Sequence, residues 1–494
     1  MAGDYGDTPQ PGKPRLRDSL QRILPLAWPV FIGQLAVLGF GTVDTVLVAR
    51  YSPTDLAALA VGGASYITIF IGLMGVVLAI SPIVGQLYGA QRLHQAGQQI
   101  WQALWLAIAM SLLGCTLLVF PAPFLALSQA SPAVADKVSG YLLALALALP
   151  ASLLFTVFRG VNIAVSRPKA VMTLQLGGLA LKVPLSIALV SGVPALSIPA
   201  LGVVGCGIAT ALAMWLQLLV AAWLVRVDPF YRNFGLDLPG QRAPHGPSLR
   251  ALLKLGVPMG LGIGIEVTGF AFMAIFISRL GETAVAGHQI AANLVSLLFM
   301  MPLAMSNACS ALVAQRIGAG AINDARRLGW HGLQLALALS LLVGGAVFMA
   351  REQVVGLYTR DAAVVAAALP LLAWVALFHA ADAVQAMTAF VLRAWRVATL
   401  PMLIYVLSLW GVGQGGGYVL AFNVGGHMPS AWQGARGYWI ASTAGLTLAA
   451  LALAALLAWV LAQQRPPTTA AAAVKPWPGA EAAVQPEQAP AAGG

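Results

Sequence analysis

The sequence predicts an all-α integral membrane protein with twelve transmembrane helices. Only 9% of its 494 residues are charged, whereas soluble domains carry about 25%. The hydrophobic fraction is 59% and the mean hydropathy is +0.84. The apolar residues form long unbroken runs, and not the period-two alternation of an outer-membrane barrel. These observations exclude a soluble globular domain and favour a helical bundle.

Twelve apolar runs are long enough to cross a bilayer, which takes about 20 residues in a helix. They are residues 23–49, 57–85, 98–121, 138–158, 170–190, 201–225, 251–278, 284–314, 328–350, 362–392, 397–421 and 437–464. An even number of spans places both termini on the same side of the membrane. The polar N-terminus lacks the apolar core of a cleavable signal.

The basic residues are distributed unequally between the two ends of the predicted spans. Twenty of the 27 fall in the tails, in alternate loops or at the adjoining helix ends, six fall in the other loops, and Lys182 lies inside a span. Cytoplasmic loops carry such an excess of Lys and Arg. Both termini are therefore predicted to be cytoplasmic. The net charge of +11 follows from this topology, so no nucleic-acid partner is expected.

A long polar stretch between the sixth and seventh spans divides the chain into two six-helix lobes. The predicted organisation is a cytoplasmic tail over 1–22, a first lobe over 23–225, a cytoplasmic inter-lobe loop over 226–250, a second lobe over 251–464 and a disordered tail over 465–494. The last segment is rich in Pro and Ala, which is typical of disordered tails.

The two lobes resemble one another at an offset of 229 residues. Pro29 matches Pro258, and the motif that contains Gln86 and Gly89 matches the one that contains Gln315 and Gly318. Residues 202 and 205 match residues 434 and 437 at an offset of 232. Because each lobe has six spans, the repeats insert the same way up. Parallel repeats are typical of transporters, with the substrate path between the halves.

Two acidic residues of the second lobe are predicted to share one depth in the membrane. At ~1.5 Å per residue, Glu266 and Asp382 lie about 18 and 17 Å above the inner surface. Charges inside a bilayer are costly and usually functional. Two carboxylates in one cavity share protons or a monovalent cation, so the pair is predicted to carry H⁺ or Na⁺, the latter as a metal ligand set.

The first lobe contains one acid and one base within its spans. Asp44 lies about 9 Å below the outer surface, and Lys182 lies about 20 Å above the inner one. Both fall in the outer half of the bilayer. The two residues form a buried ion pair, or Lys182 extends towards the interface.

Candidate substrate contacts are polar or methionine side chains near these acids. Gln289 is the strongest ligand candidate, because its span is next to the span of Glu266. Gln34 lies in the first span, and Met259 and Met301 belong to a methionine group that suits varied apolar ligands. Cys115, Cys206 and Cys309 are predicted to be packing residues. The sequence carries neither a Walker A motif nor a catalytic triad, so neither an enzyme nor a cofactor is predicted.

Several motifs are similar to those of the multidrug and toxic compound extrusion (MATE) family, in its bacterial NorM-like branch. They are EVTGFAFMAIFISRLGETAVAGHQIAANL at 266–294, GTVDTVLVARYSPTDLAALAVG at 41–62, LGVVGCGIATALAMW at 201–215, DAVQAMTAFVLRAWR at 382–396 and GARGYWIASTAGLTLAA at 434–450. The resemblance covers nearly all of residues 20–464.

The resemblance implies a V-shaped, monomeric transporter in the bacterial inner membrane. It implies export of cationic or amphiphilic compounds in exchange for H⁺ or Na⁺, with Glu266 and Asp382 as the cation site. It also assigns functional positions to Asp44 and Gln289. The lipid bilayer and the exported small molecules are the only partners it implies.

Two residues depart from the pattern of this family. Phe378 stands one turn before Asp382, where many relatives have Tyr, so a hydroxyl ligand for Na⁺ is lost and H⁺ is favoured. Phe378 would then contact substrate as an apolar side chain. Lys182 stands near the place of an Asn, and its ammonium could occupy the place of a coupling cation beside Asp44.

Two other functions fit the same topology. A flippase for a lipid-linked oligosaccharide would share the fold, but its cavity should carry several basic residues to hold a pyrophosphate. A receptor or scaffold without transport activity would leave the repeat and the matched carboxylates unexplained.

Overall fold

The computed structural model describes residues 15–122, 125, 131–194, 199–238 and 240–463. It contains twelve helical segments long and apolar enough to cross a membrane, which confirms the predicted number. These spans, numbered 1 to 12, are Leu16–Tyr51, Pro53–Gly89, Leu93–Val119, Pro132–Ala164, Pro168–Ser191, Val203–Val227, Gly246–Ser278, Glu282–Gly318, Ile322–Met349, Ala362–Ala394, Thr399–Ala421 and Gly434–Gln463. The predicted disordered tail over 465–494, like the first 14 residues, lies outside the described ranges.

Two of the spans are interrupted helices. Span 2 consists of the helices Pro53–Val77 and Ile80–Gly89. Span 11 consists of Thr399–Tyr405, a π-helical segment over Val406–Gly415 and a last α-helical turn and a half over Gly416–Ala421. π-Helical segments inside α-helices are frequent at functional sites. Shorter helices at Pro229–Arg232, Arg351–Tyr358 and Ser430–Trp432 lie between spans.

The spans begin at residues that cap helices. Ser52 precedes span 2 and accepts a hydrogen bond from the backbone N–H of Asp55 at 3.4 Å, with Pro53 as the first helical residue. Asp361 does the same for span 10 by accepting from Ala363 at 2.8 Å. A capping side chain satisfies an N–H group that the first turn leaves free, and Pro has no such group to satisfy.

The two lobes exchange the starts of their first helices. We call the end of the bundle at which span 1 begins the proximal end, and the opposite end the distal end. At the proximal end, Ile23 and Ala27 of span 1 are buried in a cluster formed mainly by spans 8, 9, 10 and 12. Leu252 and Leu255 of span 7 are buried in the core of spans 2, 3 and 4. The exchange follows the offset of the sequence repeat, so the lobes are related as the repeat predicts.

The segment between the lobes is packed against span 3. Trp101 donates its indole N–H to the carbonyl of Leu236 at 3.0 Å, and Trp105 donates to that of Arg242 at 2.7 Å. Gln102 donates to Ala243 and accepts from the backbone N–H of His245. The polar stretch predicted as a loop is therefore attached to the first lobe, and span 7 begins within it, at Gly246.

Candidate ion and substrate sites

The second lobe brings together the two acidic residues that the sequence predicts to act as a pair. Glu266 lies on span 7 and Asp382 on span 10, where Asp382 is 5% exposed. The two carboxyl groups interact electrostatically with one another. Neither forms a hydrogen bond or a salt bridge with any residue in the described part of the chain. The pair therefore lacks the partners that buried charges require.

The π-helical segment of span 11 holds span 7 on both sides of Glu266. Trp410 donates its indole N–H to the carbonyl of Ile265 at 3.0 Å. Gln414 donates its amide to the carbonyl of Gly269 at 2.7 Å. These two bonds flank Glu266 in sequence, so the irregular part of span 11 fixes the stretch of span 7 that carries the carboxylate.

Tyr405 adds a hydroxyl group to this site. It ends the first helix of span 11, is buried, and interacts electrostatically with both Glu266 and Asp382. The side-chain amide of Gln385 donates a hydrogen bond to the hydroxyl. The other amide atom, Gln385 Oε1, is buried without a partner. Sequence analysis missed Tyr405, because it lies on a span that the motifs of the acidic pair do not include.

Phe378 belongs to an aromatic cluster. Its ring centroid lies 6.2 Å from that of Phe270 and 5.6 Å from that of Trp439. Its side chain is largely buried in this packing. The hydroxyl that the sequence leads us to regard as lost at position 378 is thus available from Tyr405 on a different span.

In the first lobe, Lys182 and Asp44 form a buried ion pair. Lys182 Nζ lies 2.6 Å from Asp44 Oδ2, and the two side chains are 1% and 7% exposed. This geometry decides between the two predictions for Lys182 in favour of pairing. The same ammonium donates to Thr210 Oγ1 at 2.7 Å and lies 5.1 Å from the centroid of the Phe40 ring. Ser186 Oγ approaches Asp44 Oδ1 at 3.5 Å.

Each lobe has a small cavity at an equivalent place, beside the proline of its first helix. The cavity of the first lobe is lined by Pro29, Val30, Gln34, Arg159, Ile163, Pro168, Val171, Gln175 and Asn307. The cavity of the second lobe is lined by Pro258, Met259, Gly262, Ala389, Arg393, Val397, Ala398, Pro401, Met402 and Tyr405. Pro29 and Pro258 correspond at the repeat offset, as do Val30 and Met259. The second cavity borders the acidic pair through Tyr405.

The predicted substrate contacts do not form one site. Gln34 lines the cavity of the first lobe, and Met259 lines that of the second. Gln289 is exposed on span 8, and Met301 is partly buried on the same span. Neither of these two lines the cavities described above.

Two arginines at the proximal ends of the spans were assigned to loops by the sequence. Arg159 lies within span 4 and donates to the sulfur of Met74 at 3.2 Å. Arg393 lies within span 10, is buried, and interacts electrostatically with Glu266. The apolar runs end just before both residues, whereas the helices continue to Ala164 and Ala394. Helix length beyond the apolar run was the signal that could have located them.

Two parallel six-helix repeats that cross the membrane, with acidic residues inside both, define the class of multi-pass membrane transporters. The sequence pattern of the MatE family matches residues 29–188 and 258–419, one stretch in each lobe. The chain belongs to this family of transporters.

Two similar proteins are multidrug resistance proteins. The probable multidrug resistance protein NorM of Aromatoleum aromaticum is 40% identical over 442 residues, which are 89% of this chain and 93% of that protein. The multidrug resistance protein PmpM of Pseudomonas aeruginosa is 35% identical over 90% of this chain and 92% of its own. These matches confirm the resemblance seen in the motifs.

Solved structures have the same fold. A variant of the Vibrio cholerae MATE transporter VcmN superposes with a TM-score of 0.82, covering 91% of this chain and 98% of its own at 18% identity. The eukaryotic MATE transporter AtDTX14 gives a TM-score of 0.79, covering 91% of this chain and 97% of its own, also at 18% identity.

Proposed function

We propose that this protein is a cation-coupled multidrug antiporter that exports cationic or amphiphilic organic compounds by alternating access. The observation that carries the proposal is the pair Glu266 and Asp382. Two carboxyl groups in a membrane interior repel one another when both are charged, and the described residues offer them no hydrogen-bond donor or ion-pair partner. A bound proton or monovalent cation satisfies such a pair.

The coupling ion is H⁺ or Na⁺. The preference for H⁺ that follows from Phe378 loses its basis, because Tyr405 supplies a hydroxyl near the carboxylates. Gln385 Oε1 supplies a further oxygen without a partner. Carboxylate, hydroxyl and amide oxygens together suit a small hard cation, and one carboxylate suffices for a proton. The residues present fit either ion.

Two properties of the chain favour organic cations as substrates. The acids within the spans can attract cations, and methionine and aromatic side chains around them adapt to apolar groups of different shape. The relatives named above are multidrug resistance proteins. We propose that Asp44, Gln289, Gln34, Phe378, Met259 and Met301 contact substrate in at least one conformation of the transport cycle.

The arrangement of the lobes suggests which state the structure represents. At the proximal end, spans 1 and 8 and spans 2 and 7 pack closely between the lobes. With the proximal end assigned to the cytoplasm on the basis of the basic residues, this packing closes the cytoplasmic side. We propose that the structure is the outward-facing state of a monomer in the bacterial inner membrane, with both termini cytoplasmic.

A flippase for a lipid-linked oligosaccharide stays as the alternative. Arg159 favours it, since a guanidinium in a cavity at the lobe interface could bind a phosphate. Arg159 and Arg393 are, however, in separate cavities of different lobes, whereas a pyrophosphate needs bases that converge. The antiporter therefore has the stronger support.

The test is flux in proteoliposomes that contain the purified protein and the cationic dye ethidium. One set receives only a Na⁺ gradient at clamped pH, and the other only a pH gradient without Na⁺. We expect dye movement against its gradient with one of the two ions. Dye movement with neither gradient, or transport of a pyrophosphate-linked lipid in its place, would contradict the proposal.

A further inference from the structure

The ion pair of the first lobe satisfies its own charges. Lys182 has three N–H groups, and three partners surround them: Asp44 at 2.6 Å, Thr210 at 2.7 Å and the face of the Phe40 ring at 5.1 Å. Asp44 receives the ammonium on one oxygen and has the Ser186 hydroxyl 3.5 Å from the other. The pair is neutral as a whole, so it requires no further ion.

This arrangement is the opposite of that in the second lobe. There Glu266 and Asp382 carry like charges and have no hydrogen bond or salt bridge within the described ranges. A site with two acids must take up a cation to be stable in a membrane, whereas an acid with a tethered ammonium need not. The two lobes therefore differ in their need for an exchangeable ion.

The repeat shows a neutral version of the same place. At offsets of 229 and 232 residues, Asp44, Lys182 and Thr210 correspond to Met273, Gln414 and Ser442. The hydroxyl of Ser442 lies 3.5 Å from the sulfur of Met273. Gln414 donates to a backbone carbonyl of span 7. The fold thus accepts uncharged side chains at this position, so the charges of the first lobe are not needed for packing.

We propose that Lys182 is the resident counter-ion of Asp44, so that the first lobe exchanges no ion and the number of ions per transported molecule is set by Glu266 and Asp382 alone. This inference rests on the proposed antiport function. It narrows the expectation from the sequence that Asp44 and Lys182 take part in coupling: the ammonium replaces an ion there and does not relay one.

The first experiment measures how many coupling ions move per ethidium molecule, from the dye gradient that balances an imposed ion gradient in proteoliposomes. Lys182→Met combined with Asp44→Asn removes both charges and keeps the side-chain sizes. We expect this double variant to keep the wild-type number of ions, with a rate within about threefold of wild type because no charge is left unpaired. Lys182→Arg, which retains the charge, should also keep it.

The single variant Lys182→Met should behave differently. It leaves Asp44 without a counter-ion, and the carboxylate must then take up a proton or a metal cation from solution. We expect one additional ion per transported molecule, or a new dependence of the rate on ion concentration. A double variant that moves dye with fewer ions than wild type would show that the pair carries an ion, and would overturn the inference.

A binding measurement covers the case in which these variants transport too slowly. In the variant that combines Glu266→Gln with Asp382→Asn, we expect the thermal stability of the purified protein to be independent of Na⁺ and of pH between 6 and 8, a range of about two units around neutrality. Adding Lys182→Met should introduce such a dependence. A dependence already present before that addition would contradict the resident counter-ion. If wild type itself shows no ion-driven transport, the proposed function fails instead.

Discussion

Gln86 and Gln315 make the same contact on opposite lobes. The side-chain amide of Gln86 donates to the carbonyl of Ala394, the last residue of span 10, at 2.8 Å. The amide of Gln315 donates to the carbonyl of Ala164, the last residue of span 4, at 2.6 Å, and to Ser166 at 2.9 Å. The two glutamines correspond in the sequence repeat, so an axis of pseudo-symmetry passes between them.

Removal of this reciprocal contact should loosen the proximal closure. Each hydrogen bond contributes about 1 kcal/mol, so Gln86→Ala and Gln315→Ala should each shift the equilibrium between the two transport states about fivefold towards proximal opening. Distance measurements between spin labels on the proximal ends of spans 3 and 9 would detect the shift. Gln91→Ala, on the exposed turn after span 2, is the matched control. Unchanged distance distributions in both glutamine variants would assign these bonds no role in closure.

Gly89 and Gly318 should tolerate no side chain. A Cβ built on Gly89 would overlap the carbonyl oxygen of Gln315, and one built on Gly318 would overlap that of Gln86. Gly89→Val should therefore hold the lobes apart at the proximal end and abolish efflux while the protein still inserts. Gly63→Val, where a Cβ meets no neighbouring atom, should be neutral. Efflux by cells that produce Gly89→Val at the wild-type rate would show that the lobes need not meet there.

The acidic pair should behave as one unit. Glu266→Gln and Asp382→Asn should each abolish ion-driven efflux without loss of expression, and the variant with both changes should be little worse than either, because parts of one site are not additive. Resistance of a host without its own efflux pumps, together with protein levels, measures this. Efflux that is strongly ion-dependent in either single variant would remove that residue from the coupling site.

Tyr405→Phe tests whether the hydroxyl serves the coupling ion. If Na⁺ is that ion, the Na⁺ concentration for half-maximal transport should rise severalfold, because an oxygen ligand is lost. If the ion is H⁺, the pH profile should move while the maximal rate is little changed. Tyr438→Phe is the control, since that buried hydroxyl contacts Gln414 and not the carboxylates. Identical ion dependence in Tyr405→Phe and wild type would exclude a role for the hydroxyl.

The linker between the lobes contains a carboxylate whose ionisation stabilises it. The backbone N–H of Phe230 donates to Asp228 at 2.9 Å, and Arg167 lies 2.7 Å away. The backbone hydrogen bond first, and then the guanidinium, lower the pKa of Asp228 from its ordinary value of 3.8.

A carboxyl group whose pKa is lowered by folding stabilises the folded state at pH values above its ordinary pKa, and the stabilisation is lost as pH falls through the lowered pKa. Asp228→Asn should thus lower the melting temperature near neutral pH. The difference from wild type should shrink below about pH 4. Asp237→Asn, whose ion pair is fully exposed, should show little effect. A melting-temperature difference for Asp228→Asn that is the same at all pH values would contradict this assignment.

The sequence could predict the spans and the acidic pair because both depend on local patterns. Hydropathy gives the twelve helices, and counting residues from the nearest charges places Glu266 and Asp382 at one depth. The pairing of Lys182 with Asp44 stayed open, because depth along a helix does not tell which way a side chain turns. The structure adds that rotation and brings both onto facing sides of spans 1 and 5.

Tyr405 could not be predicted in this way. It comes directly before the π-helical segment Val406–Gly415. A π-helix departs from 3.6 residues per turn, so a helical wheel drawn from the sequence assigns the residues of span 11 to the wrong faces. Arg159 and Arg393 escaped for another reason, since hydropathy ends a span where its apolar residues end, and these helices continue.

The attachment of the inter-lobe segment to span 3 bears on how this protein could be produced as two chains. A cut at Gly240, which is exposed and in the left-handed region at φ 86°, would leave the carbonyls of Arg242 and Ala243 on the second chain. Trp105 and Gln102 of the first chain already bind those carbonyls. The severed strip would act as a docking peptide, so co-expressed halves should reassemble without a covalent bond.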